Sequence, residues 1–301
     1  MSWRSIVITQ HAKLSYSSRL MMVQTVDGIS EIPIEDIALV VVATTQAVVT
    51  TALIAELALH NVKVIFVDHH HQPVCETCSY HPSARENDLI IQQCNWSAER
   101  KKALWTQIIA TKIENQLAVL RNYHCELGTI QDELNQLELG DTTNREAVVA
   151  QQYFKLLFED FEGRRVASAI NDSLNYGYSI ILSEVNRAIA EWGYLTELGI
   201  HHHNQSNRFN LGSDLMEPFR PIIDYWVAGQ EIQELTPDVK INLIDCVNLV
   251  IRFNGRKTSV RKAISNYVHD CLKYLSGDED SVQLEMELIY EVPNDALNGY
   301  V

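Results

Sequence analysis

The sequence predicts an α+β chain: a β-rich N-terminal domain over residues 1–82, then a larger all-α domain over residues 83–301. Three observations lead there. Up to about residue 80 the chain breaks into brief apolar or alternating runs separated by polar turns. At "HPSARENDL" the character changes, with Pro82 breaking the chain. From Ser83 onward, apolar residues recur at three- and four-residue intervals, and almost nothing asks to be a strand.

Taken in order, "RSIVITQ", "AKLSYSS", "LMMVQTV" and "ISEIPI" read as strands. "IALVVV" and "VKVIFVD" read as buried strands flanking a helix near 50–60. Residues 37–59 are long enough to cross a bilayer, yet they contain Gln46, Glu56 and four threonines. A buried strand, a Thr-Thr-Gln turn and a core helix explain them better, so no membrane span is expected. Ile90, Ile91, Cys94, Trp105, Ile108, Ile109, Ile113 and Leu117 mark a long helix to about 124, broken near Asn95–Ser97. Further helices are expected near 130–138, 144–160, 166–192, 219–230, 236–253 and 257–276. The acidic tail from Gly277 reads either as a short packed element or as a frayed end.

Hydrophobic residues make up 46% of the 301 and charged residues 21%, a globular profile. The net charge of -15, taken alone, argues against a nucleic-acid partner, because phosphates attract lysine and arginine. Net charge does not report patches, however. Local basic clusters stand at Arg100, Lys101 and Lys102; at Arg164 and Arg165; and at Arg256, Lys257, Arg261 and Lys262. The six cysteines are scattered and the N-terminus lacks the apolar core of a signal peptide, so a reducing, cytoplasmic compartment is expected.

Four stretches could carry chemistry. "DHHHQPVCETC" offers Asp68, His69, His70, His71, Cys75 and Cys78. Its Cys-x-x-Cys is half of a zinc site, but no second pair follows. Neighbouring histidines on a strand point to opposite faces, and Pro73 suggests a hairpin, so a polar turn explains the run. In "NREAVVAQQYF", Asn144 reads as a helix N-cap. Glu146 then shares a face with Ala150 and Tyr153 or Phe154. It is either a placed carboxylate or a first-turn acid favoured by the helix dipole. In the helix at 171–193, Asn171, Asn175, Tyr176 and Tyr178 either form a buried polar network or solvate the helix start. In "IHHHNQSNRFNLGSDLMEPFRP", Asp214 and Glu217 have the spacing of a capping box, but Pro218 lacks the N–H that a regular helix from Asp214 would need. An irregular helix entry beside acids and histidines is where a site could lie. Carboxylates with one imidazole would suit manganese or magnesium.

Together and in this order, "NREAVVAQQYF", "NDSLNYGYSIILSEVNRAIAEWG" and "GIHHHNQSNRFNLGSDLMEPFRP" closely resemble the CRISPR adaptation integrase, CRISPR-associated protein one. The "NQSNRFN" spacing is similar to the branch found in type II systems. The resemblance covers the whole chain, including "WRSIVITQHAKLSY" at its start. It implies an N-terminal β-sandwich, serving dimerisation, and a helical catalytic domain. It also implies a metal site for Mg2+ or Mn2+ built from Glu146, His202 and Glu217. Asp214 is left a supporting or capping role.

The same resemblance implies the reaction. A 3′-hydroxyl of a short DNA fragment attacks a phosphodiester at the edge of a CRISPR repeat, inserting the fragment as a spacer. It further implies a homodimer, and a complex in which two integrase dimers are bridged by one dimer of CRISPR-associated protein two. Double-stranded DNA and other type II CRISPR proteins complete the expected partners, in a prokaryotic cytoplasm. Two competing readings remain: a stand-alone metal-dependent nuclease acting on branched DNA, and a scaffold whose acids only cap helices.

Overall fold

The brief apolar runs at the start of the chain become strands in a computed structural model, which describes residues 4–70, 72–77, 87–159 and 161–288. The chain divides into two compact units, Met1–Pro82 with Thr236–Ile244, and Ser83–Leu235 with Asp245–Val301. The larger unit is therefore not one continuous stretch from residue 83.

In the first unit, β1 (Arg4–Ile8), β2 (Lys13–Ser17), β3 (Leu20–Thr25), β4 (Gly28–Pro33) and β5 (Ile37–Val42) follow in quick succession. After them come β6 (Val48–Val49), α1 (Thr51–Leu59), β7 (Lys63–Val67) and β8 (Pro73–Glu76). They make two four-stranded sheets, ordered β1-β5-β7-β8 and β4-β3-β2-β6. All six residues of β5 are buried. It lies between parallel neighbours, and a strand covered on both faces reads as a continuous apolar run. One core takes Ile8, Ile37, Val40, Val42 and Val64 from the first sheet, Leu14, Met21 and Val23 from the second, and Leu53 and Leu57 from α1. The arrangement is sandwich-like. After β7, Asp68 Oδ1 accepts the backbone N–H of His70 (2.8 Å) and Gln72 (3.0 Å), the polar turn expected there. Cys75 is exposed; His71 and Cys78 lie outside the described residues.

The second unit is mainly helical. It contains α2 (Asn87–Cys94), α3 (Ala98–Asn122), α4 (Ile130–Asn135), α5 (Arg145–Leu157), α6 (Ala169–Glu191), α7 (Asn210–Leu215) and α8 (Arg220–Ala228). α9 (Pro237–Asp245) belongs through Ile244 to the first unit. The expectation of an all-α domain is corrected by β9 (Val250–Phe253), β10 (Arg256–Ser259) and β11 (Met286–Leu288). With α10 (Val260–Ser276) lying between the last two in sequence, they form an antiparallel sheet ordered β10-β9-β11. The predicted helix over 236–253 forms only as α9 over Pro237–Asp245 and gives way to β9 for a local reason. Asn254 and Gly255 take positive φ of 47° and 75°, the pair that closes a two-residue hairpin. Ile251 and Phe253 point inward while Arg252 is exposed, the period of a strand.

The long helix does break where predicted: α3 begins after Ser97, whose Oγ accepts the Arg100 N–H at 3.1 Å. α3 buries Leu104, Ile108, Ile109, Ile113, Leu117 and Leu120, more than one stripe, and so runs through the interior. α6 packs on α8 and α10. The approach to α8 depends on Gly177, where an added Cβ would lie 2.5 Å from Ile223 Cγ2. Gly177→Ala is expected to cost about 1–3 kcal/mol through overpacking, read as a lower urea midpoint with an unchanged m-value. Among the described residues, no helix is long and apolar enough to cross a membrane.

Candidate functional site

Glu146 lies in the first turn of α5. The entry to that helix differs from the predicted one. Asn144 occupies the N-cap position at φ 56° but its side chain makes no capping bond. The cap comes from Asp141, whose two carboxylate oxygens accept the N–H groups of Arg145 (2.6 Å) and Glu146 (3.1 Å). Val149, Tyr153 and Phe154, at i+3, i+7 and i+8, are buried on the same side of α5, so Glu146 stands at the N-terminal end of the buried face.

The segment 200–221 is irregular, as its prolines require. α7 ends at Leu215, Glu217–Phe219 form a single 3₁₀ turn, and α8 restarts with Pro221 near its N-terminus. Asp214 is not a helix cap. It lies inside α7, fully buried. Its carboxylate accepts the backbone N–H groups of Ile200 (2.7 Å), His201 (3.0 Å) and His202 (3.1 Å). It also bonds His202 Nδ1 at 2.5 Å. With the Asp214 carboxylate accepting from Nδ1–H, the neutral imidazole keeps its lone pair on Nε2. Gly199 permits this wrapping, because a Cβ there would meet the His202 carbonyl at 2.4 Å and Asp214 Oδ2 at 2.8 Å.

The three histidines thereby separate. His203 is exposed. His201 stacks on Trp105 with ring centroids 4.1 Å apart and planes 6° from parallel. His202 meets the same indole edge-on at 5.8 Å and is the one bonded through its ring to Asp214. That bond raises the His202 pKa above its ordinary value; burial opposes the rise, and Glu217 and Glu146 are near enough to add to it.

α3 organises the rest. Trp105, Lys112 and Asn115 fall on one face at i, i+7 and i+10. Asn115 Nδ2 donates to the Pro218 carbonyl at 3.0 Å, fixing the 3₁₀ turn against α3. The Lys112 ammonium lies 2.6 Å from Glu146 Oε1 and also pairs with Glu217 Oε2. Arg220 holds Glu217 from the other side, 2.9 Å from Oε1, with its guanidinium 4.2 Å from the centre of the Tyr178 ring. Tyr178 in turn donates to buried Asp224. So Tyr178 enters a buried network, while Asn171 and Asn175 accept bonds from Arg164. Sequence reasoning missed Lys112, Asn115 and Arg220. Lys112 left a signal: a lysine among Ile108, Ile109, Ile113 and Leu117 sits where a surface residue does not belong.

Among the described residues, no three His, Cys, Asp or Glu side chains are already arranged around a metal position; the ammonium stands between the two carboxylates. The donor set suits a hard divalent ion nonetheless. Glu146 and Glu217 already share one positive charge, and carboxylate oxygens of this kind are ligands for hard divalent ions.

Burial alone would raise the Glu217 carboxyl, but Arg220 and Lys112 overcome it and hold the pKa down to about 2. Its ordinary value is 4.5. A folded pKa below the unfolded one gives stability that is complete above about pH 4.5 and is lost as the pH falls toward 2. The stake is on the order of 3 kcal/mol. Urea unfolding of metal-free protein from pH 6 to pH 3 is expected to show a steeper loss for the parent than for Glu217→Gln; parallel slopes would refute the ion-pair account.

The basic clusters are partly consumed inside the fold. Arg100 donates to the carbonyls of Tyr274 (2.5 Å) and Glu279 (2.7 Å). Arg261 pairs with buried Glu184 at 3.0 Å. Arg164 is spent on Asn171 and Asn175. Lys102, Arg165, Arg256 and Lys262 are exposed.

Comparison with known proteins completes the picture. The family model described as "CRISPR associated protein Cas1" matches residues 6–234. A CRISPR-associated endonuclease Cas1 from Neisseria meningitidis serogroup C (strain 8013) is 32% identical over 275 residues, covering 89% of this chain and 90% of the relative. Among solved structures, a casposase bound to its integration product shares the fold with a TM-score of 0.78 at 20% identity, over 93% of each chain. A Cas6-RT-Cas1–Cas2 complex contains a similar fold with a TM-score of 0.74 at 18% identity, over 95% of this chain and 36% of that one. With the family model spanning most of the sequence and the Neisseria relative matching it nearly end to end, the chain belongs to the Cas1 family.

Proposed function

We propose that the protein is a metal-dependent DNA integrase of CRISPR adaptation, inserting short DNA fragments into a repeat array by transesterification. The observation that carries this reading is the meeting of Glu146 and Glu217 on one ammonium, with the Asp214-oriented His202 close enough to feel both carboxylates, in a Cas1-family chain. Glu146, Glu217 and Nε2 of His202 would hold a Mg2+ or Mn2+ ion. Such an ion supplies a lowered pKa for an attacking hydroxyl and stabilisation of charge on the phosphate oxygens. The protein's own part is positional. Asp214 fixes the imidazole tautomer, Trp105 borders the ring edge-on, and Asn115 and Arg220 fix Glu217. In the reaction, a fragment 3′-oxygen bonds to a repeat phosphorus while the original P–O bond breaks, so no nucleoside triphosphate is consumed. Water in place of the 3′-hydroxyl would give nuclease activity, the activity in the Neisseria relative's name.

The partners follow the same reading: a homodimer through the first unit, DNA, and a dimer of Cas2 bridging two such dimers, in the type II manner. The Cas1–Cas2 assembly with a similar fold supports the protein partner, and the DNA-bound casposase supports the nucleic acid. A basic path shared among subunits answers the -15 net charge, with Lys102, Arg165, Arg256 and Lys262 the exposed contributors here. The deciding assay combines supercoiled repeat DNA, a short duplex with 3′-hydroxyl ends, and Mn2+ or Mg2+, with and without the partner. Joined products that need the partner support the integrase. Cleavage by the isolated chain, with no joining when the partner is added, makes it a nuclease.

A further inference from the structure

The Lys112 ammonium stands between the two carboxylates that the metal reading assigns to a cation. We propose that Lys112 is the resident counter-ion of the Glu146–Glu217 pair and that a divalent ion enters the site by displacing it; this rests on the metal reading of the same site.

Three observations carry it. First, the cluster is already neutral: Glu146 and Glu217 are matched by Lys112 and Arg220, all four linked by direct contacts. A divalent ion added to a neutral, largely buried cluster leaves two excess positive charges, and the departure of one cation halves that excess. Second, the two cations differ in their freedom to leave. Arg220 is clamped, bonding both oxygens of Glu217 at 2.9 and 3.3 Å and lying over the Tyr178 ring. Lys112 reaches the carboxylates on a flexible four-carbon stem and ends in a compact, strongly hydrated charge. Third, the Lys112 side chain is 5% exposed. A buried lysine needs a compensating partner, which explains a residue that would otherwise be out of place among isoleucines. The ammonium keeps two like charges together in the metal-free protein, and so holds the site shaped while lowering its affinity for metal.

The test is Mn2+ binding to the full-length chain, followed by loss of the free-ion electron paramagnetic resonance signal at fixed pH and salt. Lys112→Met should bind Mn2+ at least tenfold more tightly than the parent. Lys112→Arg, which keeps the charge, should gain nothing. Equal or weaker binding by Lys112→Met overturns the proposal. The double variant Glu146→Gln/Glu217→Gln separates the two levels. If the parent binds Mn2+ and the double variant does not, the metal reading stands whatever Lys112→Met does. If no variant binds, the metal reading fails and this proposal with it. Should Lys112→Met not fold, reductive methylation of the unaltered protein gives the same decision by mass spectrometry. Lys112 should be protected without metal and labelled faster with saturating Mn2+; unchanged or slower labelling overturns the displacement.

Discussion

Glu217→Gln is expected to reduce strand transfer by at least about a thousandfold, or ~4 kcal/mol of barrier at 1.36 kcal/mol per decade. Glu146→Gln and His202→Ala should do the same. The cause is electrostatic. A glutamine keeps the volume of Glu217 but not the charge that Arg220 and Lys112 surround, and a neutral amide is a poor ligand for a hard divalent ion. Residues that act as a unit fail as a unit. A double variant should therefore be hardly slower than the worse single one, whereas independent contributions would multiply. The measurement is the initial rate of joined product at saturating metal and partner, beside a thermal melt to show that each variant is folded. Strand transfer within tenfold of the parent in any folded variant would remove that residue from the site, and intact transfer in all three would leave the scaffold reading.

The second large effect concerns Asp214, which need touch neither metal nor DNA. Asp214→Ala removes the acceptor for three consecutive backbone N–H groups and one imidazole. Each stranded donor costs about 1–3 kcal/mol where water cannot reach it. Part of the segment can relax toward solvent, so a net loss of about 3–5 kcal/mol is expected, with a fall in melting temperature of about 10 °C. Asp214→Asn keeps one carbonyl oxygen and should recover part of the stability. It should not recover activity, because its amide no longer fixes Nδ1–H as a carboxylate does. A His202 resonance whose tautomer is unchanged in Asp214→Asn would contradict this role.

What the sequence made legible was periodicity and chain order. The break before Ser97, the buried run of β5 and the proline-interrupted entry after Leu215 could all be read locally, because each depends on neighbours in sequence. Glu146, His202 and Glu217 are assigned to a site only by resemblance; from the residues alone, Glu146 is divided between a placed acid and a dipole partner. The misreadings have physical causes. The Asn254–Gly255 hairpin was passed over because the surrounding apolar spacing also fits a helix. Asn144 has the composition of a cap, but its left-handed backbone leaves the work to Asp141. Asp214 and Glu217 have the spacing of a capping box, yet tertiary contacts assign one to the backbone of 200–202 and the other to Lys112 and Arg220. Lys112 itself could not be given a partner, since the residues that bind it lie 34 and 105 positions away in the chain.

The face of α3 that carries Trp105 and Lys112 works as a ruler. Seven residues are nearly two full turns, so the two side chains share a direction and their origins are about 10 Å apart along the axis. One end borders the His201 and His202 rings and the other pairs with Glu146 and Glu217, although those groups come from three distant stretches of the chain. The spacing of the site is thus metered by helix pitch. A single residue inserted between 105 and 112 would turn one mark by about 100° relative to the other.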